Sequence, residues 1–572
     1  MSLVYSLSFP QPHTHCAEVM LEWYVPAFSK DQDWIVKMPV WTPGSYLIRE
    51  YAKNVIQAEA SDEAGNRLPS QKIAKNAWAI AGPPLGKIRF WYRVYGFELS
   101  VRHNWISEEM AFICGAATFV WLEGQTQTPG LLRLSLPSHW PTAATGLPMV
   151  GKGEFAFQDY DQLVDSPLML GQGDELAWQQ GQIPYRYVFF GHKAEALPLE
   201  QLQKDTPAIV EAATQIFGKN PLSDYHILVQ MTDQQKGGLE HLNSTALQYT
   251  RTGLETPEGY EDFLSLVAHE YFHIWNVKRL RPAPLGPFDY ERENYTTLLW
   301  QAEGFTSYYE KLILKKAGLI TQEAYLDSLS KKINQIESQP GQARQSLAES
   351  SWDAWIKAYR PDENSANATI SYYIKGAVVA MLLDVLLIAQ TEGQACLDEG
   401  MQDLYARYYE QANRGFSEEE LKASLENIAQ ISLDDFFARY IHQTQALPYV
   451  AYFDKLGIDF LWETPSSHKP YWGMVVEGKT IRQVWEGGPA HRDGLSAFDQ
   501  IVAINGISPP SLANWLEKQK IGSRHEYTVL REGLLKTVFV NLDQTPPPIC
   551  QIKPRPEAPA IQKRMQARFF RE

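Results

Sequence analysis

Two histidines four residues apart, with a glutamate after the first, are the residues of this sequence best suited to chemistry. Residues His269–His273 read His-Glu-Tyr-Phe-His. On a helix, positions i and i+4 lie on one face, so both imidazoles can bind the same metal ion. A catalytic zinc usually has three protein ligands and a water. The spacing therefore predicts a zinc site, in which Glu270 is placed to accept a proton from the metal's water.

A third zinc ligand is required, and Glu303 is the candidate. It lies in an apolar and aromatic run that predicts a buried helix, where an isolated carboxylate is costly unless it has a partner such as a metal ion. Glu310, seven residues further along the same face, is predicted to orient a ligand from outside the coordination sphere. Glu291 and Glu293 are rival ligands, but their polar surroundings predict a loop.

The local pattern predicts that the histidine pair lies on a helix. Apolar residues recur at helical spacing, and Glu261 and Asp262 are predicted to lie in the first turn. The recurring apolar residues are Phe263, Leu264, Val267 and Ile274.

Two further stretches could contribute to such a site. Gly237, Gly238 and Glu240 follow a predicted strand, Tyr225–Met231, and paired glycines let a backbone approach a ligand closely. A plain turn explains them equally well. Tyr373 opens an apolar helix, where a phenol could donate a hydrogen bond to a developing oxyanion. Taken by itself, a tyrosine at the start of a helix is better explained by core packing.

Composition narrows the function classes. The formal charge of −15 disfavours nucleic acid, whose binding depends on Lys and Arg. The four cysteines are far apart, and none lies in a C-x-x-C, so we expect neither a disulfide framework nor a thiolate metal site. The most apolar run, 377–389, is too short to span a bilayer and predicts a buried helix instead. The absence of a basic and apolar leader predicts a cytoplasmic protein, although a processed mature form would look the same.

The residue pattern predicts a multidomain α+β protein of three domains and a tail. Residues 1–195 carry short β-rich runs between turns, typical of a β-sandwich. Residues 196–455 are mainly helical, and residues 456–545 form a small β-rich domain. Residues 546–572, rich in proline and then in basic residues, predict a loosely attached C-terminal tail. The predicted helices are Leu199–Phe217, Thr297–Ala317, Gln322–Ser338, Ser371–Ala389 and Leu433–Tyr440.

The chemistry-bearing motifs, in this order, resemble those of gluzincin metallopeptidases related to aminopeptidase N. Further motifs, called marks below, resemble those of the glycyl aminopeptidase family, and the resemblance spans most of the chain. The resemblance implies a thermolysin-like, mainly helical catalytic domain over residues 196–455. The marks are Trp41–Tyr46, Arg49–Tyr51, Asn276–Pro282, Ser351–Asp353, Arg360–Pro361 and Glu363–Ser365.

This resemblance implies one zinc ion per chain. His269, His273 and Glu303 match its ligands, and Glu270 matches the general base. The segment between His273 and Glu303 is longer than in aminopeptidase N itself, as is usual for the glycyl aminopeptidase relatives.

The resemblance also implies an exopeptidase that acts on peptides with a free N-terminus, with small first residues such as Gly or Ala. Glu240 matches the acid that pairs with the substrate's α-amino group, and Gly237 and Gly238 belong to the same substrate-binding motif. Leu239–His241 reads Leu-Glu-His where aminopeptidase N has Met-Glu-Asn, which is expected to reshape the pocket for the first residue. Tyr373 matches the tyrosine that stabilises the tetrahedral intermediate.

The last β-rich segment resembles a PDZ domain of bacterial proteases through Gly488–Ala490, Asp493–Leu495 and Asp499–Gly506. Phe498 replaces the usual glycine before Asp499. Such domains bind C-terminal peptides by strand addition, although a purely structural module is equally consistent with the sequence. The candidate carboxylate-binding loop comprises Tyr471, Trp472, Gly473 and Met474.

Two rival functions stay open. A zinc endopeptidase with the same catalytic residues would hydrolyse peptides whose amino group is blocked. A peptide-binding adaptor that acts through the PDZ-like segment would not need its zinc site.

Overall fold

A computed structural model describes residues 3–25, 33–191, 197–463, 470–544 and 549–572. The chain forms two compact units, one of residues 1–295 with 404–416 and one of residues 296–403 with 417–572. The first begins with a β-rich part, and the second contains most of the helices. The predicted multidomain α+β class is confirmed.

The β-rich part of the first unit forms several mainly antiparallel sheets around an aromatic and aliphatic core. Among the described residues, its largest sheet has the strand order β14-β15-β12-β1-β2-β8-β4-β5, in which β1 and β12 pair in parallel. The elements are β1 Leu3–Ser8, β2 Cys16–Val25, β3 Trp34–Lys37, β4 Val55–Asp62, β5 Arg67–Leu68, β6 Ser70–Ala74, β7 Ala77–Ile80, β8 Gly86–Tyr95, β9 Trp105–Ile106, β10 Met110–Ile113, β11 Trp121–Leu122, β12 Gly130–Ser135, β13 Thr142–Ala144, β14 Met149–Gly151, β15 Glu154–Phe157, α1 Tyr160–Val164 and β16 Leu168–Gly171.

A second sheet of the first unit, ordered β17-β18-β19-β21-β20, carries part of the site. Its strands β18, β19 and β21 run parallel, and the edge strand β20 is antiparallel to β21. The sequence assigns β17 and β18 to the N-terminal β domain, but they pair into this sheet instead, with Tyr185 opposite Tyr225. The elements are β17 Asp174–Gln180, β18 Ile183–Phe190, α2 Leu199–Phe217, β19 Tyr225–Thr232, β20 Gly237–Glu240, β21 Ser244–Thr250 and α3 Pro257–Phe272.

Helix α3 is the predicted helix of the histidine pair, but it begins earlier than expected. Thr256 is the N-cap, and its side chain accepts a hydrogen bond from the Gly259 amide. The predicted first turn at Glu261 and Asp262 therefore lies inside the helix. The helix ends at Phe272, which makes His273 its C-cap.

The second unit is built around helix α8, which is buried along most of its length. Within the described residues, the stretch Ser365–Gln390 has the length and apolar composition of a membrane span, but 83% of its apolar window is buried inside the protein, which favours a core helix. The helices are α4 Thr306–Lys316, α5 Gln322–Glu337, α6 Leu347–Trp352, α7 Ser365–Ala368, α8 Tyr372–Gln390, α9 Leu397–Leu404, α10 Glu418–Ala429, α11 Asp434–Phe436, α12 Tyr449–Lys455, α13 Pro489–Asp493, α14 Leu512–Glu517 and α15 Ala560–Phe569.

The predicted helix Thr297–Ala317 is not a continuous α-helix. Residues Trp300–Phe305 form a π-helical turn, and α4 follows directly. A Cβ atom added to Gly304 would lie 2.5 Å from the Gly376 Cα of α8, so the two elements cross at a pair of glycines. π-Helical turns are frequent at functional sites, and this one contains Glu303.

Residues 470–544 of the second unit form a separate β domain with its own apolar core. Its main sheet is ordered β24-β25-β26-β27-β28. The strands that flank the domain, β22 and β30, pair with each other, with Ile458 opposite Pro554. The domain is thus inserted between two paired strands. The strands are β22 Ile458–Glu463, β23 Pro470–Tyr471, β24 Met474–Glu477, β25 Thr480–Val484, β26 Gln500–Ile504, β27 Arg524–Arg531, β28 Leu534–Asn541, β29 Asp543–Gln544 and β30 Ile549–Pro554.

Residues 549–572 are not the loosely attached arm that the sequence predicts. They form β30 and α15, and the buried guanidinium of Arg571 lies 2.9 Å from Asp384 of α8 and 2.8 Å from Asp398. Hydroxyl groups donate to both carboxylates, from Tyr308 at 2.6 Å and from Tyr309 at 2.8 Å. The arginine compensates two buried acids, a long-range role that local composition does not reveal.

Candidate active site

Helix α3 brings the two histidine side chains together. The Nε2 atoms of His269 and His273 are 3.2 Å apart, close to the separation of about 3.3 Å expected for two tetrahedral zinc ligands at about 2.0 Å. The Nδ1 atom of His273 lies 2.6 Å from the Asn276 carbonyl oxygen. A hydrogen bond from Nδ1–H to that carbonyl leaves Nε2 as a lone-pair donor, as in protein metal sites. This donor pair fits a zinc ion.

The position of Gly238, in the glycine pair before Glu240, has no room for a side chain. A Cβ atom added to Gly238 would lie 2.0 Å from Oε1 of Glu270, so the carboxylate packs directly against strand β20. Gly237 has a φ of +156°. We expected these glycines to admit a ligand, and the structure shows that Gly238 makes room for the predicted base.

Glu240, at the end of strand β20, lies near His273 and Glu270. Candidate ligand atoms of Glu240, Glu270 and His273 all lie within 4.8 Å of one another, and all three side chains are buried. Two carboxylates and an imidazole are thereby brought together in the first unit.

An acid that sequence analysis missed supports this arrangement. Asp165, just after helix α1, accepts hydrogen bonds from the Lys278 ammonium at 2.7 Å, the His241 ring at 3.1 Å and the Leu242 amide at 2.9 Å. It therefore links the Leu-Glu-His stretch at Leu239–His241 to the segment Asn276–Pro282 that follows α3. Burial raises the pKa of Asp165, but the Lys278 ammonium and His241 lower it to about 2.

We expect Asp165 to make folding stability depend on pH. Because its pKa falls from 3.8 to about 2 on folding, its contribution is complete above about pH 4 and is lost as the pH falls toward 2. At neutral pH this contribution is about 2 kcal/mol. Urea unfolding of the wild type and of Asp165→Asn should show a difference in the free energy of unfolding that shrinks over that window. Parallel pH profiles would contradict the assignment.

The second unit places Glu303 and Tyr373 near each other. Glu303 is 2% exposed and lies on the π-helical turn, and Tyr373 lies in the first turn of α8. Burial, followed by the neighbouring Glu303 carboxylate, raises the pKa of Tyr373 well above its usual value, so the phenol keeps its proton. Tyr359, which sequence analysis did not single out, has its hydroxyl 3.4 Å from that of Tyr373.

The remaining predicted acids have identifiable partners or surroundings. Glu310 forms an ion pair with Lys332 at 3.0 Å, and its ligand-orienting role stays a prediction. Glu291 is exposed and pairs with Lys37 at 2.8 Å, which disfavours it as a zinc ligand. Glu293 is half-buried.

The candidate carboxylate-binding loop is tied to the segment that leads into helix α13. The Trp472 carbonyl accepts a hydrogen bond from the Ala490 amide, and the Gly473 carbonyl accepts one from the Trp485 amide. Gly473 has a φ of +72°, and an added Cβ would lie 2.9 Å from the Gly488 Cα. Strand β23 ends at Tyr471, and strand β24 begins at Met474.

Comparison with known families gives two matches. The family model of M61 glycyl aminopeptidase matches residues 262–379, which include the histidine pair, Glu303 and Tyr373. The model of the Peptidase M61 N-terminal domain matches residues 4–172. No curated protein matches the chain.

Solved structures include one that is similar over nearly the whole chain. It is an aminopeptidase N family protein from Idiomarina loihiensis, with 28% sequence identity and a TM-score of 0.92, covering 98% of this chain and 99% of its own. An M1 zinc metallopeptidase from Deinococcus radiodurans is similar in fold alone. It has 14% identity and a TM-score of 0.50, and the match covers 78% of this chain and 94% of that one.

Proposed function

We propose that this chain, a metallo-aminopeptidase, depends on one zinc ion and removes the first residue of peptides that carry a free amino group. The observation that carries the proposal is the position of Glu240. Its carboxylate lies within 4.8 Å of candidate ligand atoms of both Glu270 and His273. In a peptide, the α-amino nitrogen is only about 2.5 Å from the carbonyl carbon of the same residue, as bond lengths dictate. An acid this close to the base can therefore bind the α-amino group of the same residue whose carbonyl reacts.

We propose His269, His273 and Glu303 as the zinc ligands. Two imidazoles and one carboxylate are a ligand set found in catalytic zinc sites. The proposal is supported by the 3.2 Å separation of the Nε2 atoms and by the burial of Glu303. When bound, zinc polarises a carbonyl and lowers the pKa of its water toward neutrality.

The chain's own residues supply the proton transfers and the contacts to substrate. Glu270 accepts the proton of the attacking water and returns it to the leaving amine. The protonated phenol of Tyr373 donates a hydrogen bond to the oxyanion that develops on the first carbonyl. Glu240 binds the cationic amino group through a short charge-assisted hydrogen bond.

The test compares matched substrates that differ only in their amino group. The wild type should hydrolyse alanyl and glycyl anilides and discriminate strongly against their N-acetylated forms, because acetylation removes the cation that Glu240 binds. Glu240→Ala should lose most activity on the free substrates and most of that discrimination. Glu240→Gln, with the same shape and no charge, separates charge from packing. A wild type that cleaves blocked and free substrates equally well would favour the rival zinc endopeptidase.

Tyr373→Phe should lower kcat much more than it raises KM. An oxyanion contact forms mainly in the transition state, and loss of one such donor typically costs about 10²–10³ in rate. Tyr359→Phe is the matched control, because it removes a neighbouring hydroxyl that the mechanism does not require. Steady-state kinetics on a free alanyl anilide decides the matter. A raised KM with kcat intact would assign Tyr373 to substrate packing.

We also propose that residues 470–544 are a PDZ-like domain that binds C-terminal peptides. Strand β24 lies at the edge of its five-stranded sheet, and an edge strand can accept a further strand. Val475 on that strand is exposed. A purely structural domain remains the alternative. The two are distinguished by binding of fluorescent peptides with free and amidated C-termini.

The preference for a small first residue and the cytoplasmic location stay predictions.

A further inference from the structure

The Trp-Thr-Pro-Gly-Ser-Tyr mark at Trp41–Tyr46 has no role in the proposed function so far. In the structure, its Ser45 amide donates to the Thr42 carbonyl at 3.1 Å, which closes a four-residue turn. Pro43 is the second residue, and Gly44, with a φ of +81°, is the third. This is a type II turn, in which proline fixes the first central φ and glycine tolerates the positive one.

The turn is anchored on both sides. The indole N–H of Trp41 donates to the Asp289 carbonyl at 2.8 Å, and the Arg49 guanidinium donates to the Ser45 hydroxyl at 2.7 Å. Trp41 and Ser45 are completely buried. Flanking residues held in this way give the tip of the turn a fixed position.

The tip of the turn lies against the carboxylate of Glu240. A Cβ atom added to Gly44 would lie 2.5 Å from Oε1 and 2.7 Å from Oε2 of Glu240, and 2.7 Å from Cδ1 of Leu239, all inside the 3.0 Å that real Cβ atoms respect. Pro43, Gly44, Tyr46 and Phe288 line a cavity with Glu240. Its volume of about 20 Å³ is little more than one water needs.

We propose that Gly44 is a positioning residue that holds the Glu240 carboxylate in the orientation that binds the substrate's amino group. The N-terminal β-rich part, through this turn, then forms one wall of the space for the substrate's first residue. The inference rests on the proposed function, because it assigns Gly44 an effect that passes through Glu240. The Thr-Pro-Gly-Ser turn would then serve substrate binding as well as folding.

The test combines Gly44→Ala with variants of Glu240 and uses free and N-acetylated alanyl anilides. Gly44→Ala should lower kcat/KM on the free substrate by about 10²-fold, the scale expected for a displacement of about 1 Å. It should leave the slow cleavage of the acetylated substrate unchanged, so discrimination falls. In the background of Glu240→Ala with Leu239→Ala, where both close contacts are removed, Gly44→Ala should have no further effect, because residues that act through one another are not additive.

Gly65→Ala is the matched control. Gly65 has a φ of +86°, and nothing lies within 4 Å of an added Cβ, so this variant carries the backbone strain without the contact. It should keep wild-type kcat/KM on both substrates. If Gly44→Ala behaves like Gly65→Ala while Glu240→Ala loses discrimination, this inference fails and the proposed function stands. If Glu240→Ala keeps discrimination, the proposed function itself fails.

If Gly44→Ala alone does not fold, a further variant still tests the inference. Glu240→Asp shortens the acid by one methylene and Leu239→Ala removes the neighbouring Cδ1, so Gly44→Ala added to this pair should fold and should match the pair alone in kcat/KM. If the pair Leu239→Ala with Glu240→Asp folds but the triple variant that adds Gly44→Ala does not, Gly44 is assigned to the fold only and the inference is overturned.

Discussion

Glu270→Gln should lose almost all peptidase activity while keeping the metal. The amide has nearly the shape of the carboxylate but cannot accept a proton from water, and general acid–base catalysis contributes about 10²–10⁴-fold. We therefore expect kcat on a free alanyl anilide to fall by about that factor. The amide should fit the space against Gly238, so folding should be preserved. Zinc content by atomic emission and kcat by steady-state kinetics are the two measurements.

Glu303→Ala provides the complementary variant. It removes a proposed ligand and should lose zinc during dialysis against a mild chelator, while Glu270→Gln keeps it. Near-normal turnover by Glu270→Gln would remove this residue from the general-base role. Undiminished zinc retention by Glu303→Ala would reassign the third ligand, with Glu293 as the next candidate.

Arg571→Ala should be among the most destabilising substitutions in the second unit. The guanidinium is 2% exposed, and it is paired with Asp384, which is 0% exposed, and with Asp398, which is 9% exposed. Removing one member of a buried ion cluster leaves uncompensated charge and typically costs about 3–5 kcal/mol. We expect the urea midpoint of this unit to fall accordingly, measured by tryptophan fluorescence.

Arg564, which lies in helix α15, is the control for this prediction. Arg564 is 52% exposed and lies 3.5 Å from Glu392, so Arg564→Ala should cost less than about 1 kcal/mol. Adding Asp384→Asn to Arg571→Ala should recover part of the loss, because it removes a stranded charge. Equal midpoints for the two arginine variants would show that the cluster at Arg571 contributes little.

Local spacing indicates the histidine pair and the helix that carries it, whereas the predicted roles of Glu240 and Tyr373 come from the family resemblance. The histidine pair is separated by one helical turn, and helix α2 has the predicted bounds Leu199–Phe217. Asp165 and Arg571 were missed because their roles come from partners at least 76 residues away in the sequence. The sequence also does not show why residue 238 is a glycine, because the contact that requires it depends on where helix α3 places Glu270.

The π-helical turn illustrates a second limit. The apolar and aromatic pattern around Glu303 is that of a helix, and periodicity does not distinguish a π-helical turn from an α-helical one. The crossing of Gly304 with Gly376 of α8 depends on tertiary packing. The glycines are visible in the sequence, but their contact is not.

The pairing of strands β22 and β30 brings the two ends of the intervening β domain together. Glu463 and Ile549 face each other across that pair, so the chain leaves for the domain and returns from it at neighbouring points. Joining those two residues through a two-residue Asn-Gly hairpin turn would close the ladder and restore a continuous chain path. The same junction could receive a different domain with adjacent ends, so a new binding specificity could be grafted there without altering the connectivity of the helical core.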